Sequence, residues 1–422
     1  MEVLSASMLQ SLNTEKKRRF EELLPLIIKK LIIAGNNDVT KIRIPSGNDI
    51  WASGFDGIVE CEIGNTYIAE GLSVWEFGTS NDSLAKINSD YDKRTNDSLG
   101  IDKCYATFYL VIPKIWKYSD EISEWEASHK DWKKVCVYDA SILCDWINSE
   151  PTVCSWLLET IFEKELDFCG IEKAWERFSQ KVNPPFVYEM FIDRRENIIE
   201  TLEQKLNQEI VTVKSDSFID SMGFVLGALS SQKEYREKCI VVFNEKTYKD
   251  ISCLVHKKII VLAYTCNHDL LPANNCVISC YNKEAVSLRP DIMLNSYTRL
   301  HYLQTFRKMG IDDGKAGELY AFCHGNLPAL IRRIPGCAND YVPGWASINN
   351  KQFIEPIIFL RSIDTNVDKE IVEKIAGGSF KEIDEFYRLL LQKEDTPIKR
   401  VENNYLLINY EEAWRVLAYG ES

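Results

Sequence analysis

The chain has 422 residues, of which 45% are hydrophobic and 27% are charged, and its formal net charge is −13 at pH 7. This composition is that of a globular protein with a sizeable core, and it excludes a largely disordered chain. The negative charge excludes a uniformly basic surface, so any contact with nucleic acid must come from local basic patches. The length predicts two or three domains.

The N-terminal region contains no predicted membrane segment. Its longest apolar run, residues 23–34, is interrupted by Pro25 and by Lys29-Lys30, and it lacks the small-residue cleavage pattern of a signal peptide. The 13 cysteines are scattered and include no Cys-x-x-Cys pair, which argues against structural zinc and for reduced thiols. We therefore expect a cytoplasmic protein with no membrane contact.

Residues 1–165 predict one domain with the order helix, three strands, helix, strand, helical connection and strand. Apolar residues at helical spacing between Thr14 and Ile32 predict the first helix, and Pro25 is expected to kink it or to begin a second one. A second helix begins near Asp82 and carries Lys86 back towards the strand ends. The strands are predicted at residues 41–45, 58–63, 72–77, 105–112 and 135–138.

Three side chains in this domain form a candidate catalytic set. Asp56 stands at the head of a strand, Glu76 at the end of a later strand, and Lys86 on the helix that follows. Metal-dependent hydrolysis of a phosphodiester needs carboxylates that hold a divalent cation and a basic group that complements the phosphate. The structural alternative is a turn at Asp56-Gly57, a surface acid at Glu76 and a helical ion pair between Lys86 and Asp90.

Three sequence blocks carry a resemblance to a known family: Gly54-Phe-Asp-Gly57, Ser73-Val-Trp-Glu-Phe-Gly78 and residues 86–95. Together with the element order, they resemble the Mrr-like restriction-endonuclease domain, a PD-(D/E)xK nuclease found in bacterial defence proteins. The resemblance covers about a third of the chain. It implies that Asp56 and Glu76 bind Mg²⁺ or Mn²⁺ and that Lys86 positions the attacking water or stabilises charge on the phosphate of a DNA substrate.

One position departs from the family pattern. The family places a lysine two residues after the second acid, where this chain has Gly78. Either Lys86 has taken over that role from the helix, with Lys93 and Arg94 as alternatives, or the site is inactive. Two further candidates are Glu22, as a third carboxylate on the first helix, and Asp90.

Residues 166–185 predict a helical linker, and residues 186–335 predict a second domain in which strands and helices alternate around a parallel sheet. This layout resembles the ATPase domain of STAND-type defence proteins with its helical lid, to which residues 325–330 are loosely similar. The loop after the first strand, residues 213–219, lacks the glycine-rich phosphate-binding motif. We therefore expect a degenerate P-loop-like domain without ATPase activity or a nucleotide cofactor.

The final region, residues 336–422, predicts a small helical domain with a winged end. Helices are expected at residues 353–360, 367–375 and 380–391, followed by a strand at 405–409 and a helix at 410–417. The predicted fold class is α/β throughout: a nuclease-like mixed sheet flanked by helices, a second α/β domain with a helical lid, and this C-terminal region.

The leading functional hypothesis is a metal-dependent DNA endonuclease that acts as an effector in bacterial antiphage defence or restriction, as a homo-oligomer or with a partner protein. The alternative is a catalytically inactive nuclease-fold scaffold or sensor that acts through protein or nucleic-acid binding. A third hypothesis is that the second domain binds a nucleotide near Pro328 and thereby switches the nuclease.

Overall fold

A computed structural model of the protein describes residues 3–35, 38–45, 54–79, 83–116, 119–285, 289–334, 345, 351–408 and 413. It shows an α/β protein in which helices flank mixed β-sheets. The chain divides into two compact units. The first consists of Met1–Gly170, Glu234–Ile260 and Ala273–Asn275, and the second of Ile171–Lys233, Val261–Pro272 and Cys276–Ser422.

Two helices open the first unit, α1 (Ala6–Glu15) and α2 (Lys17–Ala34). Helix α2 buries an apolar stripe that includes Phe20 and Leu24 before Pro25, and Ile27 and Ile28 after it. Pro25 itself is buried inside this one helix, so it does not begin a new helix. The sequence pattern had not predicted α1, which buries only Leu9, Leu12 and Asn13.

The first sheet has five strands in the order in which they follow one another along the chain. The first three strands are antiparallel neighbours, and the third, fourth and fifth are parallel. These strands are β1 (Val39–Arg43), β2 (Gly57–Cys61), β3 (Gly71–Phe77), β4 (Ala106–Val111) and β5 (Lys134–Tyr138). All five strand predictions for this region are confirmed, with small shifts at their ends.

Helices cover both faces of this sheet. On one face, Val74 of β3 packs in a cluster with Ile87 and Tyr91 of helix α3 (Ser83–Asn96). On the other face, Trp75 packs against the α2 side of the core, and its ring stacks on Tyr109 with centroids 4.0 Å apart. Because side chains alternate along a strand, Glu76 points to the same face as Val74, towards α3. The other helices of this region are α4 (Ser119–Ser128), α5 (Ala140–Ser149) and α6 (Pro151–Phe162).

The second sheet has six strands in the order β11-β7-β10-β9-β8-β6. Both β10 and β11 pair with β7 in parallel, whereas β6 pairs with β8 antiparallel. The two parallel pairings agree with the parallel sheet expected for residues 186–335. The short strand β6 lies within residues 166–185, which were predicted to be a helical linker, and it adds to β8 in the opposite direction. The strands are β6 (Phe168–Gly170), β7 (Ile210–Lys214), β8 (Cys239–Val242), β9 (Ile259–Leu262), β10 (Cys276–Tyr281) and β11 (Ile292–Met293).

Helices make up most of the remaining chain. They are α7 (Ile171–Ser179), α8 (Glu189–Ile192), α9 (Glu196–Lys205), α10 (Phe218–Ser231), α11 (Glu245–Leu254), α12 (Arg299–Lys308), α13 (Asp313–Cys323), α14 (Leu327–Arg333), α15 (Lys351–Leu360), α16 (Asn366–Ala376) and α17 (Phe380–Gln392). A small sheet of β12 (Ser362–Ile363), β13 (Ile398–Val401) and β14 (Asn404–Leu407) accompanies the last three helices.

The three helices predicted between residues 353 and 391 are confirmed as α15, α16 and α17. The helix predicted at 410–417 lies outside the described residues except for Ala413. Within the described part of the chain, no helix is both long enough and apolar enough to cross a bilayer.

Candidate active site

Strand pairing brings Asp56 and Glu76 together. Strands β2 and β3 are antiparallel, with Gly57 opposite Trp75, and the same register continued by one residue places Asp56 opposite Glu76. Directly opposed residues in such a pair have Cα atoms about 4.5–5.5 Å apart. The backbone N–H of Phe77 donates to Asp56 Oδ2 at 2.8 Å, which fixes the aspartate at this end of the sheet.

The two glycines that flank Asp56 have separate backbone roles. Gly54 adopts a φ of +137°, a conformation that side-chain-bearing residues rarely take. A Cβ at Gly57 would lie 3.0 Å from Trp75 Cβ and 3.1 Å from Ile44 Cγ1, so this position permits the close approach of the neighbouring strand. The Gly-x-Asp-Gly pattern thus follows from the backbone geometry that presents Asp56.

Helix α3 presents Lys86, Asp90 and Arg94 at intervals of four residues, which places them on one helix face. The Lys86 ammonium donates to Asp90 Oδ1 at 2.6 Å. The helical ion pair that the sequence offered as a structural alternative is therefore present. Asp90 is buried, whereas the Lys86 side chain is 36% exposed, so the amine remains accessible from the solvent side.

Gly78, at the family's usual lysine position, lies beneath the side chain of Lys86. A Cβ at Gly78 would be 3.0 Å from Lys86 Cγ and 3.4 Å from Ile112 Cγ2. The aliphatic part of Lys86 therefore crosses the space that a side chain at position 78 would take. The absence of a side chain at Gly78 therefore leaves the space that the Lys86 side chain fills.

Arg94 lies deepest among the basic side chains of α3. Its Nε donates to Glu76 Oε1 and its Nη2 donates to the carbonyl of Gly54. The guanidinium carbon lies 4.8 Å from the centroid of the Phe55 ring. Glu76 and Arg94 are each 5% exposed, so this is a buried ion pair at the centre of the site.

Burial and mutual repulsion alter the acidity of both carboxyl groups. Burial, and after it the repulsion of the nearby Asp56 carboxylate, raise the pKa of Glu76 to about 7 against the opposing effect of Arg94. Burial also raises the pKa of Asp56, although the Phe77 N–H and the charge of Lys86 oppose that rise. Two adjacent carboxylates of this kind gain stability from a nearby cation.

The site borders a cavity of about 530 Å³ at the end of β2 and β3. Its lining includes Asp56, Glu76, Lys86, Asp90, Lys93, Arg94, Glu21, Thr79 and Phe55. All three leading candidates and three of the four secondary ones thus reach one cavity.

The fourth secondary candidate, Glu22, is not part of this lining, and its carboxylate lies 3.9 Å from Arg18 Nε. The neighbouring Glu21 lines the cavity instead, and its carboxylate accepts a hydrogen bond from Thr79 Oγ1 at 2.6 Å. Helical phase could have identified it, because Glu21 precedes the buried Leu24 and Pro25 by three and four residues and shares their face.

The donor set suits a hard divalent cation. Asp56 and Glu76 offer carboxylate oxygens, the ligands that Mg²⁺ prefers, and Mg²⁺ keeps several waters when only one or two carboxylates bind it. Within the described residues, however, no group of three or more His, Cys, Asp or Glu side chains is arranged to hold a metal ion. The site therefore fits an ion bound by two carboxylates and water, not a fully protein-ligated one.

A phosphate-binding loop would lie between β7 and α10. In this chain, the polar groups of that loop bond to other groups of the chain. Lys214 donates to the carbonyl of Ala285 at 2.5 Å, and Ser217 caps α10. The N–H of Phe218, at the start of α10, donates to Glu394 Oε1 at 2.9 Å. Sequence reasoning did not find Glu394, since this bond joins residues far apart in the chain.

Comparison of the chain with models of known protein families gives no match, and neither does comparison with curated proteins. The chemistry of the site therefore rests on its own residues.

Proposed function

We propose that this chain is a divalent-metal-dependent endonuclease that hydrolyses DNA in bacterial antiphage defence or restriction, and that its first unit has the PD-(D/E)xK fold. The observation that supports the proposal best is the convergence of Asp56, Glu76 and Lys86 on one cavity. The antiparallel pairing of β2 with β3 and the parallel pairing of β3 with β4 agree with the proposed fold.

Asp56 and Glu76 would hold Mg²⁺ or Mn²⁺, which when bound supplies polarisation of a phosphoryl oxygen and an acidified water. Lys86 donates a hydrogen bond to a phosphate oxygen, and Asp90 holds its ammonium at 2.6 Å. Lys93, exposed at the rim of the cavity, attracts the flanking DNA phosphates. These basic groups matter because the chain as a whole carries a charge of −13.

Cleavage of plasmid and phage DNA by the purified chain, with Mg²⁺ or Mn²⁺, tests the proposal. Asp56→Asn should lower the cleavage rate by about 10³-fold, because a metal supplies several kcal/mol of charge stabilisation. Glu60→Gln removes an exposed carboxylate on β2 and serves as the matched control with an unchanged rate. Equal cleavage by wild type and Asp56→Asn would contradict the proposal, as would a wild type that neither cleaves DNA nor binds Mn²⁺.

A second candidate function is an inactive nuclease-fold scaffold or sensor. The ion pairs of Arg94 with Glu76 and of Lys86 with Asp90 favour it, because each basic group already has an acidic partner. This candidate predicts DNA or protein binding that is independent of divalent ions and unchanged in Asp56→Asn. A titration with Mn²⁺ separates the two functions, since only the nuclease needs an ion at Asp56 and Glu76.

A further inference from the structure

Arg94 is held on three sides within the candidate site. It donates to Glu76 and to the Gly54 carbonyl, and its guanidinium lies against the Phe55 ring, 4.8 Å from the centroid. At the same time it lines the cavity. Arg94 therefore occupies Oε1, one of the two carboxylate oxygens of Glu76 that could bind a divalent cation.

The charges around the cavity explain why such a group is present. Glu76 is buried and the neighbouring Asp56 carboxylate is half-buried, and a nearby cation relieves their mutual repulsion. Lys86 has its own close partner in Asp90, at 2.6 Å. Within the described residues, Arg94 is therefore the cation that contacts Glu76 of this pair directly.

We infer that Arg94 is a resident counter-cation that competes with the divalent ion for Glu76. This inference rests on the proposed function. Glu76 would exchange its bond with Arg94 Nε for a bound ion, while the Gly54 carbonyl would retain the other end of the guanidinium. The released N–H group would be free to donate to a non-bridging oxygen of the DNA phosphate, because guanidinium is suited to phosphate geometry.

This exchange makes ion binding and DNA binding favour each other. Without DNA, the ion must break a charge-assisted hydrogen bond, so its affinity is low. With DNA, the phosphate replaces Glu76 as the partner of Arg94, and the new hydrogen bond compensates for the one lost to Glu76. A purely structural ion pair would have no such link to the phosphate, whereas the position of Arg94 on the cavity wall lets it reach a bound phosphate.

Binding of Mn²⁺ to the full chain, measured by electron paramagnetic resonance at fixed pH and ionic strength, tests the inference. In the absence of DNA, Arg94→Gln should bind Mn²⁺ about tenfold more tightly than wild type, since a hydrogen bond to a charged group no longer opposes the ion. Arg94→Lys keeps the positive charge but loses the planar guanidinium, so its Mn²⁺ affinity should lie between those of wild type and Arg94→Gln.

Lys41→Gln is the matched control. It removes an exposed positive charge from β1 of the same unit, at a position outside the lining of the cavity. Its Mn²⁺ affinity should change by less than about twofold, as expected for a screened, exposed charge. Addition of a short DNA duplex should tighten Mn²⁺ binding in wild type and much less in Arg94→Gln. A thermal melt confirms that each variant is folded. If Arg94→Gln does not fold, the Mn²⁺ affinity of Arg94→Lys serves as the test instead.

Three results would overturn the inference: Mn²⁺ affinity in folded Arg94→Gln equal to wild type, weaker binding in that variant, or an equal gain in Lys41→Gln. In each case wild type would still bind Mn²⁺, and the proposed function would stand. Failure of both wild type and Arg94→Gln to bind Mn²⁺ would instead reject the proposed function together with the inference.

Discussion

Two sites in the molecule place charged side chains at the ends of β-strands, and they differ in what lies between those side chains. At the end of β2 and β3, Asp56 and Glu76 border a cavity of about 530 Å³. After β7, Glu394 accepts hydrogen bonds from the Phe218 N–H and from Asn282 Nδ2, both at 2.9 Å. The first site has room for a phosphate and its ion, whereas a carboxylate of the chain occupies the second.

The difference shows that buried charge alone does not identify a functional site. Burial raises the pKa of Glu394 and lowers that of the nearby Lys283, just as burial raises the pKa of Glu76. Shifted acidity thus occurs at both places. The first site borders a cavity, whereas at the second Glu394 links two parts of the chain through its hydrogen bonds. Substitutions at the first site should therefore change chemistry, and substitutions at the second should change stability.

The largest effect is expected at Lys86 and Gly78. Lys86→Ala should lower the rate of DNA cleavage by about 10²- to 10³-fold, the usual cost of removing one preorganised donor to developing charge. Gly78→Lys alone should also be slow, since its Cβ would lie 3.0 Å from Lys86 Cγ and displace that side chain. The double variant Gly78→Lys/Lys86→Ala restores the usual motif order and should recover part of the rate.

Asp92→Ala, an exposed change on the same helix, is the control for this series and should cleave at the wild-type rate. A double variant no faster than Lys86→Ala would show that the two positions do not exchange roles. Full activity in Lys86→Ala would remove this lysine from the mechanism.

A smaller effect, on stability alone, is expected at Glu394. Glu394→Ala leaves the Phe218 N–H and the Asn282 amide without their carboxylate partner, a loss of about 1–3 kcal/mol in the free energy of unfolding. Differential scanning fluorimetry should show a lower Tm than for Glu385→Ala, an exposed change on α17. Mn²⁺ affinity should stay unchanged, and a shift in it would mean that the two sites are not independent.

A further effect is expected in the pH dependence of stability without metal, through the single titrating proton of Glu76. The pKa of Glu76 is raised to about 7 from an ordinary 4.5, so its contribution to stability is present below about 4.5 and is lost as the pH rises to about 7. The Tm of wild type should therefore fall relative to Glu76→Gln between pH 5 and 7 and level off above. A constant difference in Tm across this range would contradict the assigned acidity.

Much of the first sheet could be predicted from the sequence. Strands β2 and β3 follow from short runs of strand-forming residues between turn signals, and helix α3 follows from its apolar spacing. Helix α1 has few buried apolar residues, and β6 has three residues in all. The apolar run of β10, Cys276–Tyr281, fits a buried strand or a buried helix equally well. These elements form because of tertiary contacts, and the spacing of apolar residues along the sequence does not predict such contacts.

At the candidate site, the sequence indicated the Lys86–Asp90 pair, which is present, but not the pairing of Arg94 with Glu76. Asp56, Glu76 and Lys86 reach one cavity, as the order of strands and helix implied. The pairing of Arg94 with Glu76 depends on the depth at which α3 packs on the sheet, and that depth is set by side-chain volumes. Glu394 reaches Phe218 from a distant part of the chain, and no local pattern marks such a contact.

The most direct test of the account is the anomalous X-ray scattering of Mn²⁺ in crystals of the wild-type chain. We predict a peak about 2.1 Å from carboxylate oxygens of both Asp56 and Glu76, with the Arg94 Nε displaced from Glu76. The absence of a peak there, with Arg94 still bonded to Glu76 at Mn²⁺ concentrations that support cleavage, would contradict the assignment of this cavity as the catalytic centre.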